Sequence, residues 1–471
     1  MSKGSKTQKI STKEERLAQA LVPVEEQPYP VPENWCWIRL SALSKIISKG
    51  TTPSGGKNIY TNVGVAFLRV ENLNEDGTIS HENIAHIPED VHSHLLKRSI
   101  LEERDILISI AGTLGKTGIV RNVDLPLNTN QALAFVRLVN MEINEKYIKY
   151  CIDNPATQNL LLEKAKVTSI PNLTLEIIGN CYIPLSPVAE QKRIVDRIEN
   201  LFAKLDEAKE KAQSVVNSFE IRKEAILHEA FTGKLTKCWR QQRLFDLKEW
   251  KHIAIGDLTD IISSKRIYKE EYTDKGVPFY RSSEIVDLYD TGYTTPLFFI
   301  SRDRYGEIKA KYGVPKQGDL LVTSVGTIGK TWIVDNREFY YKDGNLTQVK
   351  QCDKLNMKYL QYFIMSNEFS EQVVDTVAGS AYNALTIIKF KRIIIPLPSI
   401  SEQNEIVRIL DIIFAKEQQV KETNEIVLEQ IDTMKKSILA RAFRSELGTN
   451  DPAEESVVEL LKDFLIKKEV S

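Results

Sequence analysis

The sequence predicts an α+β protein built by tandem duplication: a mixed α/β segment followed by a long helix, and then both again. Three observations predict it. Collinear matches recur at offsets of 212 to 215 residues. Each half opens with short β-branched and aromatic runs broken by Gly, Pro and Asn. Each half closes on about 40 residues whose apolar positions repeat every 3.5 residues, the period of a coiled-coil seam.

The repeats place the elements in order. Residues 1–27 are a flexible N-terminal segment, with 1–12 expected to be disordered. Residues 28–188 form the first mixed domain, strands and turns with a helix holding Tyr147–Leu162. Residues 189–235 are the first long helix. There Ile194, Ile198, Leu201, Leu205, Ala208, Ala212, Val215, Phe219 and Ile226 keep 4-3-4-3 spacing, broken by Arg222. Residues 236–400 are a linker and the second mixed domain, and 401–447 are the second long helix. Ile406, Leu410, Ile413, Val420, Val427, Ile431, Met434 and Ile438 hold its register, with Glu417 and Asn424 standing where the first helix has Leu205 and Ala212. Ser401 is the expected N-cap, with Glu402 in the first turn near the positive end of the dipole. Residues 448–471 are a tail with a short amphipathic helix, its stripe made by Val457, Leu460, Leu461, Phe464 and Leu465, expected to dock on the helices or on a partner.

A sustained 3.5-residue repeat asks for a partner helix. The two helices match in length, so they most simply pack on each other; separate packing of each on its own domain is the alternative. The duplication itself shows in IPLSPVAEQKRIV from Ile183 against IPLPSISEQNEIV from Ile395, and in DILISIAGTLGKTGIV from Asp105 against DLLVTSVGTIGKTWIV from Asp319. Lys146-Tyr147, Leu173-Thr174 and Ala230-Phe231 return as Lys358-Tyr359, Leu385-Thr386 and Ala442-Phe443.

Composition narrows the class. The 471 residues carry 63 Lys+Arg against 64 Asp+Glu, with 42% apolar and 27% charged residues, a soluble globular balance. A net charge of -1 does not advertise nucleic-acid binding, though a local basic face is compatible with it. Five scattered cysteines (Cys36, Cys151, Cys181, Cys238, Cys352) suit neither a disulfide framework nor a zinc module, which points to a cytoplasmic protein. The N-terminus lacks the apolar core of a signal peptide, and no run of about 18 apolar residues calls for a membrane.

The motifs point to binding. Gly115-Lys116-Thr117 and Gly329-Lys330-Thr331 invite a phosphate-loop reading, but Ile110 and Ser324 occupy the place of its first glycine. The residues that follow read as strands, whereas a phosphate loop opens a helix. A β-hairpin turn is expected, displaying Thr113 or Thr327 and a lysine; that equipment suits contact with DNA and equally a solvated hairpin. Residues 35–70 hold Arg39, Lys45, Lys49, Lys57 and Arg69 without one acid, and the Gly-rich loop Ser48–Asn58 is able to follow a phosphate chain. The second copy offers Lys265, Arg266, Lys269 and Arg281, diluted by Glu270 and Glu271; such runs also serve as plain solvated faces. Four histidines (His81, His86, His92, His94) crowd one loop of the first copy and have no counterpart in the second, which argues against a shared metal role. Asn154-Pro155 and Asp451-Pro452 do not continue into a DNA-methyltransferase motif, and no hydrolase or metalloprotease motif occurs. The chain reads as a binder and not an enzyme.

Several of these stretches together resemble a known family. VPENWCWIRLSAL, FLRVENL at Phe67–Leu73, AGTLGKTGIV and VGTIGKTWIV, and above all PLSPVAEQKRIV and PLPSISEQNEIV at two helix starts, are similar to specificity (S) subunits of Type I restriction-modification systems, from about Tyr29 to Leu447. The resemblance implies two target recognition domains, each reading half of a bipartite double-stranded DNA target. It implies that the two helices pack as an antiparallel coiled coil that fixes the gap. It implies two modification subunits methylating adenine with S-adenosylmethionine, and restriction/translocase subunits using ATP and magnesium; no cofactor is bound by this chain and no membrane is involved. By position in the family-like motifs, DNA-binding residues are Lys49, Thr51, Lys57, Arg69, Thr113, Lys116, Asn130 and Gln131, and in the second domain Lys265, Arg266, Arg281, Thr327, Lys330, Lys342 and Asn345; catalytic and metal residues are none. The copies depart where Asn130-Gln131 faces Gly344-Asn345 and FLRVENL faces FYRSSEI. A scaffold holding two ligand-binding domains is the rival reading, and a methyltransferase or nuclease is a third, disfavoured by the missing cofactor motifs.

Overall fold

The computed structural model describes residues 13–53, 59–165, 171–342, 344–377, 384–459 and 461–462. The chain divides into two compact units, one from residues up to 211 together with those from 427 onward, the other from 212–426.

The first unit begins with α1 (Lys13–Ala20), β1 (Cys36–Arg39), α2 (Leu40–Leu43) and β2 (Ser44–Lys49). The short strands β3 (Val65–Leu68), β4 (Ala85–Ile87), β5 (Ile106–Ser109), β6 (Thr117–Ile119), β7 (Leu127–Thr129) and β8 (Leu133–Leu138) follow. Then come α3 (Glu145–Asp153), α4 (Pro155–Ala165), α5 (Leu175–Gly179), β9 (Tyr182–Leu185) and the long α6 (Val188–Asn217). The strands make a four-stranded antiparallel sheet in the order β2-β8-β5-β6, a three-stranded sheet β4-β3-β7, and the pair β1-β9. The helix expected around Tyr147–Leu162 is two helices, because Pro155 takes the first position of a new one.

The second unit takes up the chain with α7 (Phe219–Phe231), α8 (Lys237–Arg243), β10 (Lys251–Ala254), α9 (Ile255–Leu258), β11 (Ile261–Ile262), β12 (Tyr272–Thr273) and β13 (Val277–Tyr280). It continues through α10 (Ser282–Thr291), β14 (Phe299–Ile300), α11 (Arg302–Lys311), β15 (Leu320–Thr323), β16 (Thr331–Ile333), β17 (Tyr340–Tyr341) and β18 (Leu346–Val349). It closes with α12 (Met357–Ile364), α13 (Asn367–Val377), α14 (Ile387–Arg392), β19 (Ile394–Leu397) and the start of α15 (Ile400–Ala442). Its sheets β11-β18-β15-β16, β12-β14-β13-β17 and β10-β19 repeat the first unit's plan with a fourth strand in the second sheet.

Each unit is held by the same clasp. In the first, Glu190 at the start of α6 is buried and accepts from the Trp35 indole at 2.7 Å. In the second, Glu402 is buried and accepts from Trp250 at 3.0 Å. The next residue braces the third element: Gln191 accepts from the Asn144 backbone at 3.1 Å and Gln403 from Asn356 at 2.9 Å, while both asparagine side chains cap α3 and α12. The Glu-Gln pair is therefore a packing device that ties the helix start to the first strand pair. The expected cap at Ser401 is displaced: α15 starts at Ile400, Ser399 supplies the acceptors for the Glu402 and Gln403 backbone N–H groups, and Glu402 is buried.

Each long helix ends in the core of the other repeat. Phe443 is fully buried beside Tyr147, ring centroids 5.3 Å apart, and Phe231 meets Tyr359 at 5.3 Å. In the first unit Lys435 pairs with Asp206 and Lys209 with Asp432, an antiparallel order. In the second, Arg222 pairs with Glu417 at 2.8 Å and Lys421 lies over Phe219, again antiparallel. The first helix is interrupted at Ser218, between α6 and α7. The breaks Arg222 and Glu417 in the repeat are each other's partner; Asn424 bonds its own helix, donating to the Val420 carbonyl at 2.8 Å.

The tail docks on the first unit. Val457 and Leu461 are buried in its core, the Val457 N–H donates to the Asn34 carbonyl at 3.1 Å, and Arg193 forks onto Glu454 at 2.8 Å on both nitrogens. Thr449 and Asn450 donate to Glu190, in the way Thr236 and Arg240 donate to Glu402. Leu460, Phe464, Leu465 and residues 1–12 lie outside the described residues.

Candidate nucleic-acid interface

The predicted residues gather at one end of each four-stranded sheet. In the first unit β2 leaves the sheet beside the entry of β8: the Gly50 N–H donates to the Leu133 carbonyl at 3.0 Å and the Thr51 N–H to the Thr129 carbonyl at 3.2 Å. A Cβ on Gly50 would lie 2.2 Å from the Thr129 and Asn130 carbonyl oxygens, so only glycine lets these strands close. The turn between β5 and β6 arrives at the same place, with Ile110 donating to the Ala132 carbonyl at 2.8 Å. In the second unit Ser324 donates to the Asn345 carbonyl at 2.8 Å, Ser282 reaches the same oxygen at 3.5 Å, and Gly344 donates to the Ser263 hydroxyl at 3.4 Å.

Both Gly-Lys-Thr segments are hairpin turns, with β5 and β6 and then β15 and β16 as their arms. A hydroxyl locks each turn from inside. Ser109 donates to the Thr113 carbonyl and accepts from the Lys116 backbone at 2.8 Å; Thr323 donates to the Thr327 carbonyl and accepts from Lys330 at 2.9 Å. Gly115 and Gly329 take the left-handed backbone (φ 79° and 87°) that lets the chain re-enter the sheet. Thr113 and Thr327 are exposed at the tips. The lysines diverge: the Lys116 ammonium donates to the Leu73 carbonyl, whereas Lys330 pairs with Asp290 at 3.1 Å over the Tyr289 ring at 4.0 Å. Lys116 holds its turn against a neighbouring loop and Lys330 holds its turn against α10, so a phosphate there would have to share both ammonium groups.

The arginines behave alike despite different surroundings. Arg69 and Arg281 each directly follow an inner strand of the second sheet, β3 and β13. Their backbone N–H groups donate to Asn72 at 3.0 Å and Glu284 at 2.8 Å. Their guanidinium groups lie over Tyr60 at 5.1 Å and Phe298 at 4.5 Å and pair with Glu71 at 3.3 Å and Glu284 at 3.1 Å. Burial opposes ionisation of Glu284, but hydrogen bonds from Arg281 and Ser283 outweigh it and hold its carboxyl below the ordinary value.

The remaining residues lie around these. Lys49 and Thr51 are exposed at the end of β2, and Gln131 is exposed and accepts from the Thr52 N–H at 3.2 Å. Asn130 is half-buried, its side chain accepting from Ala132 at 3.1 Å. Lys265 and Arg266 are exposed, the Lys265 ammonium 5.4 Å from the centre of the Tyr312 ring. Lys342 and Asn345 are half-buried. Lys57 lies outside the described residues. The alignment of Asn130-Gln131 with Gly344-Asn345 is corrected. Asn130 donates to the last carbonyl of β3 as Lys342 does to that of β13, and Ala132 receives the turn as Asn345 does. The second connection is one residue longer, which shifts the pairing.

Sequence reasoning passed over Ser109 and Thr323, although their shared hydroxyl at an offset of 214 was the signal. It also passed over Tyr60, Phe298 and Tyr289, which sit at non-equivalent positions and leave no repeat to find. Three of the crowded histidines have local partners: His81 faces Asp124 at 3.1 Å, buried His92 faces Asn128 at 3.2 Å, and His94 faces Ser93 at 2.9 Å. Among the described residues no cluster of His, Cys, Asp and Glu could hold a metal ion, and no helix is long and apolar enough to cross a membrane.

Comparison with known proteins places this arrangement. A family model described as the Type I restriction modification DNA specificity domain matches residues 32–217 and again 247–430. The chain is 23% identical over 440 residues to the Type I restriction enzyme EcoBI specificity subunit of Escherichia coli, covering 90% of this chain and 88% of that one. It is 23% identical over 445 residues to the EcoKI specificity subunit of Escherichia coli K12, covering 90% and 91%. Among solved structures, the HsdS subunit from Thermoanaerobacter tengcongensis shares the fold with a TM-score of 0.60 at 21% identity, over 90% of this chain and all of that one. A chain from a study of complex assembly and conformational transition of the type I R-M system does so with a TM-score of 0.68 at 22% identity, over 89% of this chain and all of that one.

Proposed function

Because the chain belongs to the Type I restriction-modification DNA specificity family, which it matches in both halves, we propose that it is the sequence-reading subunit of such a complex. It recognises a bipartite double-stranded DNA target with a fixed gap, one half per mixed domain, and directs adenine methylation or restriction by partner subunits in the cytoplasm. It is not itself an enzyme. Two modification subunits carry S-adenosylmethionine chemistry, and restriction subunits carry ATP- and magnesium-dependent translocation and cleavage.

One observation carries the reading: a cluster of turn, strand exit and aromatic-backed arginine, built twice, with the hydroxyl lock and the exposed tip threonine repeated and the residues around them changed. A repeated frame with divergent surroundings is what two readers of different half-sites need, since phosphate contacts position a protein while side chains at base edges specify sequence. We assign DNA contact to Lys49, Thr51, Lys57, Arg69, Thr113, Lys116, Asn130 and Gln131 in one half, and to Lys265, Arg266, Arg281, Thr327, Lys330, Lys342 and Asn345 in the other. The near-neutral net charge is compatible if partner subunits neutralise much of the phosphate backbone.

The test is genome-wide mapping of adenine methylation in cells expressing this chain with its modification subunit. One bipartite motif with a constant gap is the expected result, and Thr113→Ala or Thr327→Ala should relax one half of it. A complex that assembles but methylates no motif would favour the scaffold reading.

A further inference from the structure

The two copies differ at one place in a way that loop length does not explain. In the first unit the buried Asp105 receives Arg137 on both carboxylate oxygens, at 2.8 and 2.7 Å. The same guanidinium donates to Glu102 at 2.5 Å and lies over the buried Phe135 ring at 5.7 Å. That space is filled and its charges are matched. Strand register identifies the second unit's equivalents: Ile106 faces Val136 as Leu320 faces Val349. The same short turn precedes both strands, with the Glu102 N–H donating to Asp105 and the Lys316 N–H to Asp319, each at 2.8 Å. Glu102 therefore corresponds to Lys316, Phe135 to Gln348 and Arg137 to Lys350.

These three exchanges open a pocket and reverse its charge. Gln348 turns onto Asp319 at 2.6 Å and accepts from Tyr341 at 3.1 Å, while Lys350 reaches out to Asp260 at 3.3 Å. Where a ring and a guanidinium sit in the first unit, the second has a cavity of about 380 Å³, within the size range of small-molecule sites. Asp319 does not make it a cation site, because the backbone N–H groups of Lys316 and Gln351 and the Gln348 amide already occupy its carboxylate. What lines the opening is basic and flat: Lys265, Lys316 and Lys350, with Tyr312 at 50% exposure. The buried Ser264 hydroxyl on the same lining has no hydrogen-bond partner within the protein.

We propose that this pocket binds a nucleotide, its phosphate at the lysines, its base against Tyr312 and its polar edge at Ser264. Flexible ammonium groups capture phosphate as point charges, and an exposed tyrosine stacks any base. Inorganic phosphate would leave the ring and the hydroxyl unused, and an acidic peptide offers no flat face to Tyr312. The nucleotide is either free or part of a DNA strand; the second source rests on the DNA-reading function, the first does not.

The experiment uses the full-length chain and two variants. The triple change Lys316→Glu, Gln348→Phe, Lys350→Arg restores the first copy's residues; Tyr312→Ala removes only an exposed ring and keeps the test open should the triple variant misfold. Titration calorimetry with dAMP and with inorganic phosphate reads the free nucleotide. Anisotropy with a duplex carrying the motif found by methylation mapping, in the complex with the modification subunit, reads the strand. A free-nucleotide site is expected to bind dAMP at least tenfold tighter than phosphate and to lose tenfold in both variants. A strand site is expected to show at least tenfold weaker cognate duplex binding in both variants, with non-specific duplex unchanged. Binding of dAMP equally by all three proteins overturns the proposal, as does absence of dAMP binding together with unchanged cognate affinity. If no motif and no selective duplex binding exist, the DNA reading fails and the dAMP titration alone decides: bound and lost in the variants supports the pocket, unbound overturns it.

Discussion

At the scale of single residues, the two buried glutamates at the helix starts show how one motif takes different surroundings. Glu190 Oε2 accepts from both Trp35 and Asn450, whereas Trp250 is the hydrogen-bond donor to Glu402 Oε2, with Thr236 and Arg240 on the other oxygen. Replacing Trp250 with Phe leaves a buried carboxylate oxygen without its donor, a loss of about 1–3 kcal/mol beyond the lost ring area. Trp35→Phe should cost less, since Asn450 still serves the oxygen; equal losses in urea denaturation would contradict this. Glu284 gives a pH dependence. Its folded carboxyl lies below the unfolded value, so its contribution to stability is full at neutral pH and is lost as pH falls through the acidic range. Glu284→Gln should therefore flatten the loss of stability below about pH 5, and an unchanged slope would show that other carboxylates set it.

At the scale of elements, the paired helices explain the breaks in their own repeat. Arg222 and Glu417 are partly exposed (33% and 24%) and face each other, while the equivalent positions in the other unit are Met434 and Leu205. Removing both charges together by Arg222→Met with Glu417→Leu should leave stability unchanged or raise it, whereas Glu417→Leu alone strands Arg222. Because the pair is not fully buried, the single change is expected to cost no more than about 1 kcal/mol, read from denaturant midpoints. A double variant less stable than the single would show that the ion pair itself holds the helices. Arg222 and Glu417 were visible in the sequence as faults in a 3.5-residue pattern. Their partnership was not, because an antiparallel alignment is set by where the helix ends dock.

At the scale of the whole molecule, both compact units hold a helix end and the segment that follows it, and the first unit draws its own from the far end of the chain. In the first, that segment is the tail: Thr449, Asn450 and Glu454 clasp the start of α6, and Val457 and Leu461 enter the core. A chain ending at Leu447 should lose several kcal/mol, at about 1.5–3 kcal/mol for each large apolar side chain returned to water. Calorimetry should show the first unit melting earlier with the second unchanged; an unshifted first transition would assign the tail to a partner.

The duplication, the strand-and-turn texture of both mixed domains, the two hairpin turns and the two long helices were legible in the order of the residues alone. The duplication shows in collinear matches; each of the others depends on local spacing: period 2, period 3.5, or glycines in positions that require a left-handed backbone. Family likeness also marked most of the residues that gather at the sheet ends, since Thr113, Asn130 and Thr51 come together through strand pairing that the hydrophobic pattern implies. It took the folded chain to reveal that Phe231 and Phe443 pack in the opposite repeat's core, that Glu190 and Glu402 are buried clasps, and that Lys116 anchors its turn to a loop while Lys330 anchors its own to α10. The physical reason is range. Period and turn chemistry act between near neighbours, whereas which buried donor reaches a carboxylate 155 residues away is set by how whole elements close on one another.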